Sequence, residues 1–161
     1  MARLTDRWYV RNVREMTWER DRPRGFVASL VTADDAQVGV NLFALAPGDP
    51  MSMYHWEGDQ EGFLVLSGEA LLIVEDEEHP LRRWDYFHCP SGVRHTIVGT
   101  GRGSCAILGI GARISDDGAY PYSELAMTYD ASAEEDTEES KVAYARFPAV
   151  EPAEFREDWL P

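Results

Sequence analysis

Apolar residues in this chain come in short runs, separated by glycine, proline and acidic punctuation. That pattern suits strands better than helices. Residues 26–31 are apolar and β-prone, 33–36 form a turn, and 38–46 resume the apolar character, which predicts a hairpin. Pro47, Gly48, Asp49 and Pro50 break the chain. Residues 63–66 are apolar on both faces, Ser67, Gly68 and Glu69 turn, and 70–74 follow as a second apolar run. Residues 75–78 form an acidic hairpin tip; 86–89, 96–98 and 104–110 complete the series. Strands of this length and spacing predict an all-β antiparallel sandwich or barrel over 26–113.

The alternation also predicts surfaces. If Glu61, Phe63 and Val65 face the interior, Leu64 and Leu66 face outward, and the run at 71–74 is apolar on both sides. A water-facing sheet normally alternates with polar residues, so the outer faces need a cover. A second copy across a two-fold axis is the commonest cover, and predicts a homodimer. The ends of the chain are the alternative. Residues 1–25 are rich in Arg and Trp and predict an edge strand at 8–13. Residues 114–161 form an acidic extension carrying Tyr144, Phe147, Phe155 and Trp159. Within it, Ser132 lies three residues before Glu135, the spacing of a helix capping box.

Composition narrows the classes of function. The chain has 161 residues, 29 acidic and 15 basic, for a formal net charge of −14, and 44% hydrophobic residues. The apolar content excludes a wholly disordered chain. The charge argues against nucleic acid, which needs a basic patch, and against anionic lipid. The longest apolar runs are far short of the roughly 20 residues that span a bilayer. Two cysteines, Cys89 and Cys105, make no disulfide framework. The first residues lack an apolar leader segment. A cytoplasmic protein with reduced, buried thiols is the expectation.

Two of the four histidines stand in organised settings. His55 and Glu57 are at i and i+2, on one face of a strand. A turn through 58–60 can bring Glu61 to the same cavity, and His95 opens another strand after Pro90, Ser91 and Gly92. Two imidazoles and two carboxylates can hold a divalent metal and leave positions open. Without a cation the two carboxylates would repel. Tyr86 and His88 share strand parity; facing inward, they would be candidates for substrate hydrogen bonding or proton transfer. Tyr54 and Trp56, of opposite parity to His55, are expected in outer-face packing.

These residues resemble the two motifs of the cupin superfamily. Gly48, six residues, His55, one residue, Glu57, three residues, Glu61, six residues and Gly68 resemble the first. Asp85 with Pro90, Gly92 and His95 resembles the second. The resemblance covers about residues 38–110. It implies a jelly-roll β-barrel of a small single-domain protein, often dimeric, and leaves both ends unexplained; the C-terminal extension, by its own sequence, is expected to be short helical or irregular. It also implies a metal held by His55, Glu61 and His95, with Glu57 in the place of a family histidine. That added carboxylate favours Mn, Fe or Zn. Trp84 stands where the family usually has Gly, which implies an altered turn, and Gly99 stands where Asn is common. The function implied is metal-dependent oxygenase- or isomerase-type chemistry on a small molecule. A non-catalytic binding or sensing module is the alternative.

Overall fold

The computed structural model describes residues 8–21 and 24–161. After a 3₁₀ turn, Val13–Glu15, twelve strands and two short helices follow. The strands are β1 Trp18–Arg20, β2 Phe26–Ser29, β3 Val38–Leu45, β4 Trp56–Glu57, β5 Glu61–Ser67, β6 Glu69–Val74, β7 Glu77–Arg82, β8 Tyr86–Cys89, β9 His95–Thr100, β10 Cys105–Ala112, β11 Gly118–Ala119 and β12 Glu151–Ala153. The helices are α1 Glu124–Met127 and α2 Ser140–Ala143. Every strand pairing is antiparallel.

A seven-stranded sheet, β12-β1-β2-β3-β10-β5-β8, faces a three-stranded sheet, β7-β6-β9. Alternation along the strands sends Leu45, Phe63, Val65, Cys105 and Ile107 inward from the large sheet. Ala70, Leu72 and Ile97 meet them from the small one, and all eight share one core. The all-β barrel expected for 26–113 is therefore present, with β1 and β12 added from outside that range. No helix among the described residues is long and apolar enough to cross a membrane.

Local chemistry explains several departures from the pattern. The strand expected at 8–13 does not form. Asn12 caps the 3₁₀ turn by accepting from the Arg14 N–H at 3.0 Å, and the edge strand begins only at Trp18. Residues 1–7 lie outside the described residues. The helix expected after Ser132 is also absent, because that hydroxyl is buried and used elsewhere. It accepts from the Ser123 N–H at 2.9 Å and donates to the Ala133 carbonyl at 2.9 Å. Ser123 caps α1 instead. The acidic tip at 75–78 is shorter than its composition suggests. Glu75 and Asp76 take the left-handed conformation of a two-residue turn, and β7 starts at Glu77.

Besides Glu57, the two other exceptions to the family motif have separate consequences. Trp84 adopts φ 75°, the conformation a glycine would take at no cost. At Gly99 a Cβ would lie 2.4 Å from the Ala46 carbonyl oxygen, so no side chain fits there.

The outer apolar faces are largely covered within the chain. Trp18 and Trp159 pack at 5.0 Å between ring centroids over Ala28, Leu42 and Ala44, with Phe155, Leu66 and Leu108 beside them. The small sheet's outer face, Ile73 and Val98, lies beneath Tyr54, Ala126 and Ala131. Cover in cis thus replaces most of the surface on which the expected homodimer rested. A strip with exposed Tyr86 and Ile110 remains uncovered.

Candidate metal site

The strand pairing builds the site. His55 and His95 stand opposite one another in an isolated antiparallel bridge and exchange both backbone hydrogen bonds, His55 N–H to His95 O at 3.1 Å and His95 N–H to His55 O at 2.8 Å. Residues paired this way project their side chains to the same face. The two imidazole centroids lie 4.8 Å apart. Glu61 opens β5, and its carboxylate reaches 3.2 Å from His95 Nε2. The ligand atoms of His55, Glu61 and His95 all lie within 4.8 Å of one another. Glu57, at the end of β4, brings its carboxylate to 3.3 Å from His55 Nε2, with its side chain 44% exposed. Glu57 thus adjoins the three-residue cluster from its solvent side.

Hydrogen bonds fix the tautomers. His55 Nδ1 is 2.8 Å from the Met53 carbonyl, and His95 Nδ1 is 3.0 Å from the Val93 carbonyl. A carbonyl only accepts, so each Nδ1 carries its proton, and each ring, when neutral, offers an Nε2 lone pair to the cavity. This is the orientation that metal-binding histidines take when the second nitrogen is anchored by the backbone. The rings of Phe63 and Phe87 flank His95 at 5.5 and 5.7 Å and hold it in place.

The buried polar atoms test the fit of a metal. Glu61 Oε2 and His95 Nε2 are both buried without a hydrogen-bond partner, although they are 3.2 Å apart. At that distance the two atoms do not bond one another, and leaving both unsatisfied costs about 1–3 kcal/mol each. A divalent cation between them satisfies both, so these residues fit the group that the motif implies. The Glu57 carboxyl lies below its ordinary range, chiefly through its interaction with the His55 imidazole, against burial, which acts in the opposite direction.

Tyr86 and His88 are not brought to this site. Phe87 and Cys89 point into the core, while Tyr86 and His88 are exposed on the outer face. Tyr54 is fully buried against the outside of the small sheet, and its hydroxyl accepts from the Asp76 N–H at 3.0 Å. Trp56 instead lines the cleft at the site's mouth. Both cysteines are buried and unpaired, and burial pushes each thiol up to about 12.

One residue of the site comes from the C-terminal extension and carries no motif. Tyr120 stacks over His55 with centroids 5.8 Å apart, and is braced edge-on by Tyr144 at the same centroid distance. Burial raises its hydroxyl above the usual tyrosine value. Tyr144 in turn accepts from the Met53 N–H at 2.9 Å, tying the extension to the segment that carries His55. With Trp56, Glu57 and Tyr120, His55 opens on a cleft of about 530 Å³.

Two antiparallel sheets closed over a core, with histidines and carboxylates at one end, define a small β-barrel protein with a candidate metal site. Residues 41–111 match the family described as Cupin domain. The fold is similar to a sugar phosphate isomerase from a cupin superfamily, from Silicibacter pomeroyi DSS-3. The two are 28% identical with a TM-score of 0.55, over 62% of this chain and 65% of that one. A cupin 2 domain-containing protein from Halorhodospira halophila is 19% identical with a TM-score of 0.54, over 66% of this chain and 75% of that one. A predicted oxalate decarboxylase from Thermotoga maritima is 23% identical with a TM-score of 0.51, over 55% of this chain and 80% of that one. The chain therefore spans less than two thirds of the isomerase's length. No curated protein matched the sequence.

Proposed function

We propose that the protein is a metal-dependent cupin enzyme acting on a small polar molecule, with isomerase-type proton transfer as its chemistry. The observation that carries this reading is the pair of unpartnered buried atoms, Glu61 Oε2 and His95 Nε2, in one cluster with the His55 imidazole. His55, Glu61 and His95 would hold the ion, with Glu57 as a fourth ligand; the donor set suits Mn, Fe or Zn. A bound divalent ion polarises a substrate oxygen and, if redox-active, supports oxygenase chemistry.

The protein's own residues supply the rest. The backbone carbonyls of Met53 and Val93 hold both imidazoles in the ligating tautomer. Phe63 and Phe87 exclude water behind His95. Glu57 is the half-exposed carboxylate at the cleft, held ionised by its surroundings. When it is not drawn into the metal shell it is placed to take a proton from a substrate carbon or hydroxyl. The likeness to a sugar phosphate isomerase supports proton transfer over oxygenation.

The test is metal analysis of the full chain purified without added metal. About one divalent ion per chain is expected, and His55→Ala and His95→Ala should lose it. A metal-free wild-type protein that also fails to take up added Mn or Zn would overturn the reading. A loaded protein that binds small molecules without turnover would instead be a binding module. The homodimer is retained as a proposal on the strip around Tyr86 and Ile110, with location in the cytoplasm. Light scattering should give twice the 18.2 kDa chain mass, and the chain mass itself would exclude the dimer.

A further inference from the structure

A second cavity, of about 180 Å³, opens inside the barrel next to the candidate metal site. Glu57 and Glu61 form one wall, Phe43 and Phe63 its apolar lining, and Asn41 and Arg113 its remaining polar groups. Glycines make the space. Gly39, Gly109 and Gly111 all line it. At Gly109 a Cβ would come 3.0 Å from the Phe43 ring. At Gly39 a Cβ would lie 2.9 Å from Arg113 Nε, so the guanidinium lies flat across the space that glycine leaves.

Two groups in this cavity await partners of opposite kinds. Asn41 Oδ1 is buried with no hydrogen-bond donor. Arg113 lies at the rim, where it lines both this cavity and the larger cleft. Its side chain donates only to the Val31 carbonyl, at 3.4 Å, and forms no ion pair among the described residues. Asn41 Oδ1 is left needing a donor, and the exposed Arg113 guanidinium at the rim offers donors, for which a carboxylate is the best geometric match.

We propose that this cavity is the substrate subsite and that it takes a small hydroxycarboxylate, the carboxylate on Arg113 and the hydroxyl donating to Asn41 Oδ1. The inference rests on the metal-dependent reading above for its charge balance. Glu57 and Glu61 cancel a divalent ion, which leaves Arg113 as the cationic side chain lining the cavity. Size sets the class. The cavity, about 180 Å³ and continuous with the rim at Arg113, admits a molecule as small as lactate or glycolate. A longer substrate would project into the outer cleft, where it meets Asp59, Asp116, Asp117 and Glu138. Those carboxylates repel a phosphate, so the specificity differs from that named for the sugar phosphate isomerase.

Calorimetric titration of the full chain, Mn-loaded and metal-stripped, tests this with lactate, lactamide and propionate. Lactate should bind the loaded protein at least 10-fold more tightly than either analogue, which lack the charge and the hydroxyl respectively. Arg113→Gln should weaken lactate at least 10-fold while leaving lactamide binding and Mn content unchanged. Asn41→Ala should reduce lactate binding to the level of propionate. Mn loading without lactate binding would overturn the subsite and leave the metal reading standing. Arg113-dependent lactate binding by a chain that takes up no metal would do the reverse. Unaltered lactate affinity in Arg113→Gln, or tighter binding of glucose 6-phosphate than of lactate, would also overturn the proposal.

Discussion

Glu61→Gln should stabilise the metal-free protein and abolish its response to metal. In the parent, Glu61 Oε2 and His95 Nε2 are 3.2 Å apart and neither has a hydrogen-bond partner. A glutamine amide in the same place can donate to the His95 lone pair. One buried hydrogen bond then replaces two unsatisfied acceptors, a gain of about 1–2 kcal/mol. For a chain of this size that corresponds to a rise of about 2–8 °C in Tm. The same change removes an anionic ligand. At a free ion concentration 100 times Kd the parent should gain about 2.7 kcal/mol from binding, or roughly 5–10 °C. The variant should gain little. Thermal unfolding by circular dichroism, in EDTA and in excess Mn or Zn, reads both effects. A variant less stable than the parent in EDTA would refute the claim that the two atoms are unsatisfied acceptors. An equal metal-dependent shift in both proteins would refute Glu61 as a ligand.

Trp159→Ala should destabilise the chain by about 3–5 kcal/mol in urea titrations, since Trp159 is 3% exposed and packs on Trp18 and Phe26. A loss below 1 kcal/mol would mean that the tail does not seal the outer face. Trp84→Gly should stabilise by about 1 kcal/mol, because Trp84 is exposed at φ 75°; a lower urea midpoint would contradict this. The Glu75 carboxyl lies below its ordinary value of 4.5, first through the Arg94 side chain and then through the Arg94 N–H. Its contribution to stability is therefore complete above that value and lost as pH falls through the lower folded value. Glu75→Gln should flatten the acid limb of the stability curve, and an unchanged limb would show that the pair contributes nothing.

Much of the barrel was legible because its turns are written in Gly, Pro and acidic residues while its strands are apolar. β7 escaped that reading. Its residues, Glu77 to Arg82, are mostly exposed and include Pro80, which an edge strand tolerates. The strand predicted near Trp8 was displaced to Trp18 by a local Asn12 cap. The helix predicted after Ser132 was lost because a distant backbone N–H claimed its hydroxyl.

For the site, fixed spacing sufficed for His55, Glu61 and His95, since strand pairing converts sequence distance into proximity. Spacing did not show that Glu57 stands on the solvent side of that cluster. Parity alone left Tyr86 and His88 undecided between the two faces. Tyr120 and Arg113 reach the site through loop and extension packing, and Asn41 through sheet register. None of these three carries a spacing signal. The expected dimer rested on real apolar faces, and Trp18 with the tail aromatics Phe155 and Trp159 on one sheet, and Tyr54, Ala126 and Ala131 on the other, cover much of that surface within the chain.

The most direct test is anomalous diffraction from crystals of the wild-type chain grown with Mn or Zn, recorded on both sides of the metal absorption edge. The account predicts one strong anomalous peak per chain. It should lie about 2.0–2.3 Å from His55 Nε2, His95 Nε2 and a Glu61 oxygen, with Glu57 turned toward it. No peak among these residues at saturating metal, or a peak held only by surface carboxylates, would contradict it.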